Sequence, residues 1–321
     1  FSLVFLGASV THAQGPVDSA TWFRVEPAWP RPLADVPPGE VPGIAIDKAD
    51  HVYVLARAEP PVRVYTPDGK LVRTWGKGRI GKAHGIRMDS EGDVWITDIG
   101  RHVVLKFSPE GQLKQTLGTP NESGSDATHF NQPTDVAIAP DGDLFVTDGY
   151  GNHRVVHFDR DGHFLGSWGK ANARPGTQPG EFHTPHAIVI DSRGKLYVAD
   201  RGNARVQVFD RSGTFLEEWP NLMVPWGLWI TPDDSIWACG STPMPRNLID
   251  VAYGTPPKDQ VFVKFDTTGR VKQIWGVPKG TEDEQPPGTG NWIHGLAIDS
   301  KGNLYAGEIK GQRAQKFVRK P

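Results

Sequence analysis

Three of the 11 histidines in this chain of 321 residues fall on one position of a recurring sequence unit. They are His84 in Ala83-His84-Gly85, His186 in Pro185-His186-Ala187 and His294 in Ile293-His294-Gly295, separated by 102 and 108 residues. The same position holds Pro42, Thr134 and Trp226 in the units between them. Taken singly, each histidine reads as a hydrogen-bonded core residue. As an alternating set they read as metal ligands, because three neutral imidazoles satisfy a first-row ion and leave coordination positions open. Zinc is the default for such a set, with iron, manganese and copper as the other first-row candidates. A triple of this kind arises by composition in only about a few chains per thousand.

A second position, where the second apolar run of each unit ends, carries Arg57, Ile99, Gly149, Arg201, Ser241 and Ile309. Arg57 and Arg201 stand three units apart. Two guanidiniums facing an open metal fit a small carboxylate-bearing substrate, which arginine grips bidentately. As isolated groups they would be surface ion-pairing arginines. Tyr150 follows one residue later, in Asp148-Gly149-Tyr150-Gly151-Asn152. Flanked by glycines, it lacks chain neighbours to bury against, which points to a loop role over the metal. Beside an ion and two cations its pKa is expected to fall from ~10, so that a phenolate acts as base. The plainer reading is an aromatic lid. Among the other eight histidines, His183 is the spare ligand.

The elements that must hold these residues repeat along the chain. Six units occupy about 41–76, 83–118, 132–169, 184–220, 224–276 and 293–317. Each has runs of alternating apolar residues separated by turn pairs such as Asp68-Gly69, Glu110-Gly111 and Asp161-Gly162, which is the pattern of short antiparallel strands. A four-strand unit of ~40–50 residues is a β-propeller blade, and such blades bury their faces only by stacking in a ring. The sixth unit lacks its last strand, and segment 21–30 supplies it. The expected fold is all-β: a six-bladed β-propeller closed by an N-terminal strand, forming one domain over 14–321. Alternate blades of a sixfold ring lie ~120° apart, so the three histidines meet on its axis. The turn glycines, the blade-end tryptophans (Trp75, Trp168, Trp219, Trp275) and the strand-end acids Asp98, Asp148 and Asp200 read as structural.

Composition narrows the rest. Gly 37 and Pro 28 are too dense for long helices. A net charge of −2 lacks the basic excess of a phosphate-binding protein, so nucleic acid is not an expected partner. One cysteine, Cys239, excludes an intramolecular disulfide. No apolar run reaches the ~20 residues of a membrane span. Residues 1–13 read as the remnant of a signal peptide, giving a secreted or periplasmic protein, expected as a monomer.

The units, including Ala199-Asp200-Arg201-Gly202-Asn203-Ala204-Arg205-Val206, resemble NHL repeats. The histidine segments, Gln132-Pro133-Thr134-Asp135-Val136-Ala137 with Asp148-Gly149-Tyr150, and Leu55-Ala56-Arg57 with Ala199-Asp200-Arg201 together resemble peptidyl-α-hydroxyglycine α-amidating lyase. That resemblance implies zinc on His84, His186 and His294, Tyr150 as catalytic base, and Arg57 and Arg201 as the active-site arginines. It also implies cleavage of a carbinolamide, R-CO-NH-CH(OH)-COOH, to an amide and glyoxylate. The family's structural calcium would fall to the backbone carbonyls of Ile44 and Ile86, but its aspartate ligand is Gly295 here. Trp292 replaces a methionine near the family's zinc, and Gly151 stands at a disulfide position. Residues 241–258 form a proline-rich insertion in blade 5, placed as a lid or rim loop. Two other readings fit the sequence: a metal-dependent hydrolase of lactonase or esterase type, and a non-catalytic NHL binding scaffold.

Overall fold

Short apolar runs bounded by positive-φ glycines give this chain 24 strands among its described residues, arranged in six four-stranded antiparallel sheets. The computed structural model describes residues 22–31, 36–170, 175–221, 223–242, 259–281 and 285–321. The signal-like segment 1–13 and all but the first two residues of the 241–258 insertion lie outside them.

Five sheets each use four consecutive strands. The sixth is made of Ile293–Ile298, Leu304–Glu308 and Ala314–Arg319, completed by Phe23–Val25. Phe23 pairs with Arg319, Arg24 with Val318 and Val25 with Phe317, so the expected N-terminal closure is present. The innermost strands are Gly43–Ile46, Ala83–Met88, Asp135–Ile138, Pro185–Ile190, Val224–Ile230 and Ile293–Ile298. No helix of the described residues is long and apolar enough to cross a membrane.

The core is divided among the blade interfaces. Six apolar clusters form, one between each pair of neighbouring blades, including Tyr305, Trp29 and Tyr65 where blade 6 meets blade 1. Fully burying each large side chain contributes about 1.5–3 kcal/mol, so stacking supplies the stability that an isolated sheet lacks. Turn glycines serve this stacking. Gly111 has φ +88°, and a Cβ there would lie 2.6 Å from the Trp75 ring of the preceding blade. Both its backbone conformation and its clearance therefore require glycine.

The strand-end acids hold the loops that lead into the inner strands. Asp98 accepts the Gly81 and Lys82 N–H groups at 2.6 and 2.9 Å, Asp148 that of Asn131 at 2.8 Å, and Asp200 that of His183 at 2.7 Å. Arg154 and Arg205 neutralise Asp148 and Asp200 from the neighbouring strand, at 3.0 and 2.7 Å. Their role is structural, and it fixes where each inner strand begins.

Candidate metal centre

Each of the three histidines sits in a register irregularity of its inner strand. Pairing with the second strand slips between Ala83 and Ile86, between Pro185 and Ala187, and between Ile293 and Gly295. A bulge releases one residue from the ladder and re-aims its side chain. His84, His186 and His294 thereby converge on the axis, with ring centroids 4.7, 4.8 and 4.9 Å apart. Their candidate ligand atoms lie within 4.8 Å of one another. All three are buried, at 2%, 1% and 7% exposure.

The other three blades orient them. His84 Nδ1 lies 2.7 Å from the Thr134 carbonyl, His186 Nδ1 2.5 Å from that of Trp226, and His294 Nδ1 2.8 Å from that of Pro42. A carbonyl only accepts, so each Nδ1 carries the proton and each Nε2 presents a lone pair. Positions that break the histidine pattern in the sequence are thus the acceptors that set its tautomer. Nothing in their residue types announces this, because the acceptor is backbone.

Burial pushes all three imidazoles below their ordinary value, His294 to about 3. For His84 and His186 the neighbouring histidines add to the fall, and Arg201 lowers all three further. The triad is neutral, as a metal ligand must be. A histidine with a depressed folded pKa binds fewer protons folded than unfolded, so acid favours the unfolded chain. Metal-free protein is expected to lose stability as pH falls below ~6.5, with a slope approaching about 1.4 kcal/mol per pH unit for each histidine. Denaturant titrations between about pH 7 and pH 5 measure it, and the slope should be shallower in His186→Ala. Equal slopes in the two proteins would argue against a neutral buried triad.

Tyr150 reaches the same point. Its hydroxyl is 3.0 Å from His84 Nε2 and 2.9 Å from His186 Nε2. One phenolic proton serves only one of these acceptors, and no described group donates to His294 Nε2. Three lone pairs sharing one donor is a donor set suited to a cation. The flanking glycines act differently from the sequence expectation. A Cβ at Gly149 would fall 1.8 Å from the Pro185 carbonyl oxygen, and one at Gly151 2.1 Å from the Asn131 side chain. They allow close approach, and Tyr150 packs edge-on against the His84 and His186 rings. Burial pushes its phenol above the ordinary value, although Arg201 and Arg57 pull it down. The expected net fall is therefore not produced by the protein groups alone.

The two arginines differ. Arg57 donates to Glu40 at 2.7 Å and to the Ala83 carbonyl at 2.9 Å, so its charge is largely matched. Glu40 lies before the repeating unit, and no spacing pointed to it. Arg201 has no carboxylate within ion-pair distance among the described residues. Its guanidinium lies over the Trp226 ring, 5.6 Å from the centroid, and Nη1 is 3.5 Å from the Tyr150 hydroxyl. Trp226 in turn stacks on Trp292 at 5.2 Å. His183 faces His153 at 6.2 Å and is not part of the triad.

Ile44 and Ile86 line the channel beneath the histidines. At Gly295, a Cβ would lie 2.6 Å from the Pro42 carbonyl oxygen, which leaves no room for an acidic ligand.

Six blades around a buried trihistidine hub define a metal-binding propeller built from NHL-type units. A model of the NHL repeat matches residues 130–158 and 182–209. NHL repeat-containing protein 3 of Homo sapiens is 31% identical over 315 residues, covering 92% of this chain and 84% of that protein. The chain belongs to the family of NHL repeat-containing protein 3. It is also related to peptidyl-alpha-hydroxyglycine alpha-amidating lyase 1 of Drosophila melanogaster, at 29% identity over 336 residues. That match covers 91% of this chain and 59% of the lyase, so the chain spans about three-fifths of that relative. A streptogramin B lyase structure shares the fold, with a TM-score of 0.63 at 16% identity over 94% of this chain and 99% of that one.

Proposed function

We propose that this protein is a metal-dependent lyase that splits an α-hydroxyglycine-type carbinolamide, R-CO-NH-CH(OH)-COOH, into an amide and glyoxylate. One observation carries the reading. A phenol and a guanidinium with no carboxylate partner among the described residues stand together beside three converging, neutral imidazoles. The relationship to the Drosophila lyase supports the same reaction class.

His84, His186 and His294 would hold the ion. When bound, a divalent cation, with zinc the first choice, supplies Lewis acidity toward the substrate hydroxyl and positive charge beside the phenol. Arg201 pairs with the substrate carboxylate, its cation held in place by the Trp226 face. Arg57, fixed by Glu40 and the Ala83 carbonyl, retains enough field to pull the Tyr150 phenol down alongside Arg201. Tyr150, as phenolate, takes the hydroxyl proton on its phenolic oxygen. The freed pair on oxygen forms the aldehyde C=O while the C–N bond breaks toward nitrogen. Tyr150 then returns the proton to nitrogen, completing the amide. No oxidant, reductant or water is consumed.

Metal-loaded protein should release glyoxylate and amide in equal amounts from an N-acyl-α-hydroxyglycine. No release at full metal occupancy would overturn the proposal. Arg201→Met is expected to raise KM for the carboxylate-bearing substrate by about 10–100-fold, the worth of a hydrogen bond to a charged group. Steady-state kinetics reads this, and an unchanged KM would remove Arg201 from carboxylate binding.

A further inference from the structure

We infer that Arg87 is a built-in cation at the floor of the channel, standing where the lyase resemblance would put a structural calcium. The channel then takes one metal ion, at the histidines, and none below them.

The cavity under the triad has a volume of only about 30 Å³, and both Arg87 and Asp135 line it together with Ile44 and Ile86. Arg87, on the inner strand of blade 2, has a side chain 14% exposed, and Asp135 in blade 3 is 5% exposed. Arg87 Nε donates to Asp135 Oδ1 at 3.0 Å, and Nη2 donates to Asp135 Oδ2. Nη2 also reaches across the channel to the Leu228 carbonyl of blade 5, at 2.8 Å. Asp135 further accepts the Val136 N–H at 2.9 Å and the Ile188 N–H of blade 4 at 3.1 Å. One guanidinium–carboxylate pair thus ties four of the six blades at the axis.

This arrangement does not fit calcium. Calcium takes 6–8 oxygen ligands, with carboxylates prominent among them. Among the described residues, Asp135 is the one carboxylate lining this cavity, and it is already engaged by Arg87 and two backbone N–H groups. Gly295 cannot be replaced by an acid without striking the Pro42 carbonyl. A divalent ion here would also stand against a fixed positive charge. The guanidinium performs the cross-linking that such an ion would give, without depending on its supply.

The test uses protein with its histidine-site metal in place. Equilibrium dialysis against radioactive calcium should find no stoichiometric binding, and the thermal midpoint should be the same in calcium-free and calcium-rich buffer. One calcium bound per chain, or a midpoint that rises with calcium, would overturn the inference. Arg87→Gln should lower the midpoint by about 5 °C, because it leaves a buried carboxylate unpaired. Arg87→Lys keeps the charge without the bidentate grip and should fall between. An unchanged midpoint in Arg87→Gln would also sink the proposal. The calcium measurements on the unaltered protein decide the question even if Arg87→Gln does not fold. None of these readouts involves glyoxylate, so they are independent of the proposed reaction.

Discussion

His186→Ala is expected to empty the metal centre while the propeller stays folded. Three imidazoles from three blades would share the ion, and removing one leaves only His84 and His294, with ring centroids 4.9 Å apart, to hold it. Losing an outer hydrogen-bond partner of a ligand already costs 10–100-fold in metal affinity or activity. Losing the ligand itself should cost at least about a hundredfold in both. The fold survives because its stability lies in six apolar interfaces away from the axis. Elemental analysis with far-ultraviolet circular dichroism measures both halves. His183→Ala is the control, since its ring faces His153 and not the hub. Full metal content in His186→Ala, or lost metal in His183→Ala, would refute the assignment of ligands.

Tyr150→Phe is expected to separate metal binding from turnover. The hydroxyl is within hydrogen-bond reach of two Nε2 atoms, yet it belongs to none of the three ligands. The phenylalanine ring preserves the edge contacts to His84 and His186 that hold the loop. Metal content should therefore match the unaltered protein. A positioned base contributes typically 10²–10⁴-fold, so kcat should fall by about that factor with little change in KM. A variant retaining full kcat would leave Tyr150 as an aromatic wall, and the proton would need another acceptor.

Much of this site is legible in the sequence because a repeat supplies its own ruler. Six units aligned on one strand start turn His84, His186 and His294 into a geometric statement about a common axis. The closing strand was equally legible, since a three-stranded last unit must be completed from elsewhere. What escaped has a common cause. The Thr134, Trp226 and Pro42 carbonyls that orient the imidazoles are backbone atoms, so residue type carries no sign of them. Arg87 and Asp135 are 48 residues apart, and Arg87 and Leu228 are 141 apart, at positions that are not equivalent between blades. Gly149 and Gly151 show a different limit. A glycine chosen for freedom and one chosen for clearance look the same in sequence, so the glycines beside Tyr150 do not tell a loose loop from a packed one.

The closure of the last sheet has a mechanical corollary. Phe23–Val25 and Ala314–Arg319 lie side by side, so tension applied through the two flanking segments would load three paired residues first. Peeling them would remove the outermost strand of the sheet whose innermost strand carries His294, and would pull Phe23 from the Trp237 and Trp275 rings of blade 5. Under load the ring would therefore begin to open at the seam between blades 5 and 6, with the other interfaces still packed.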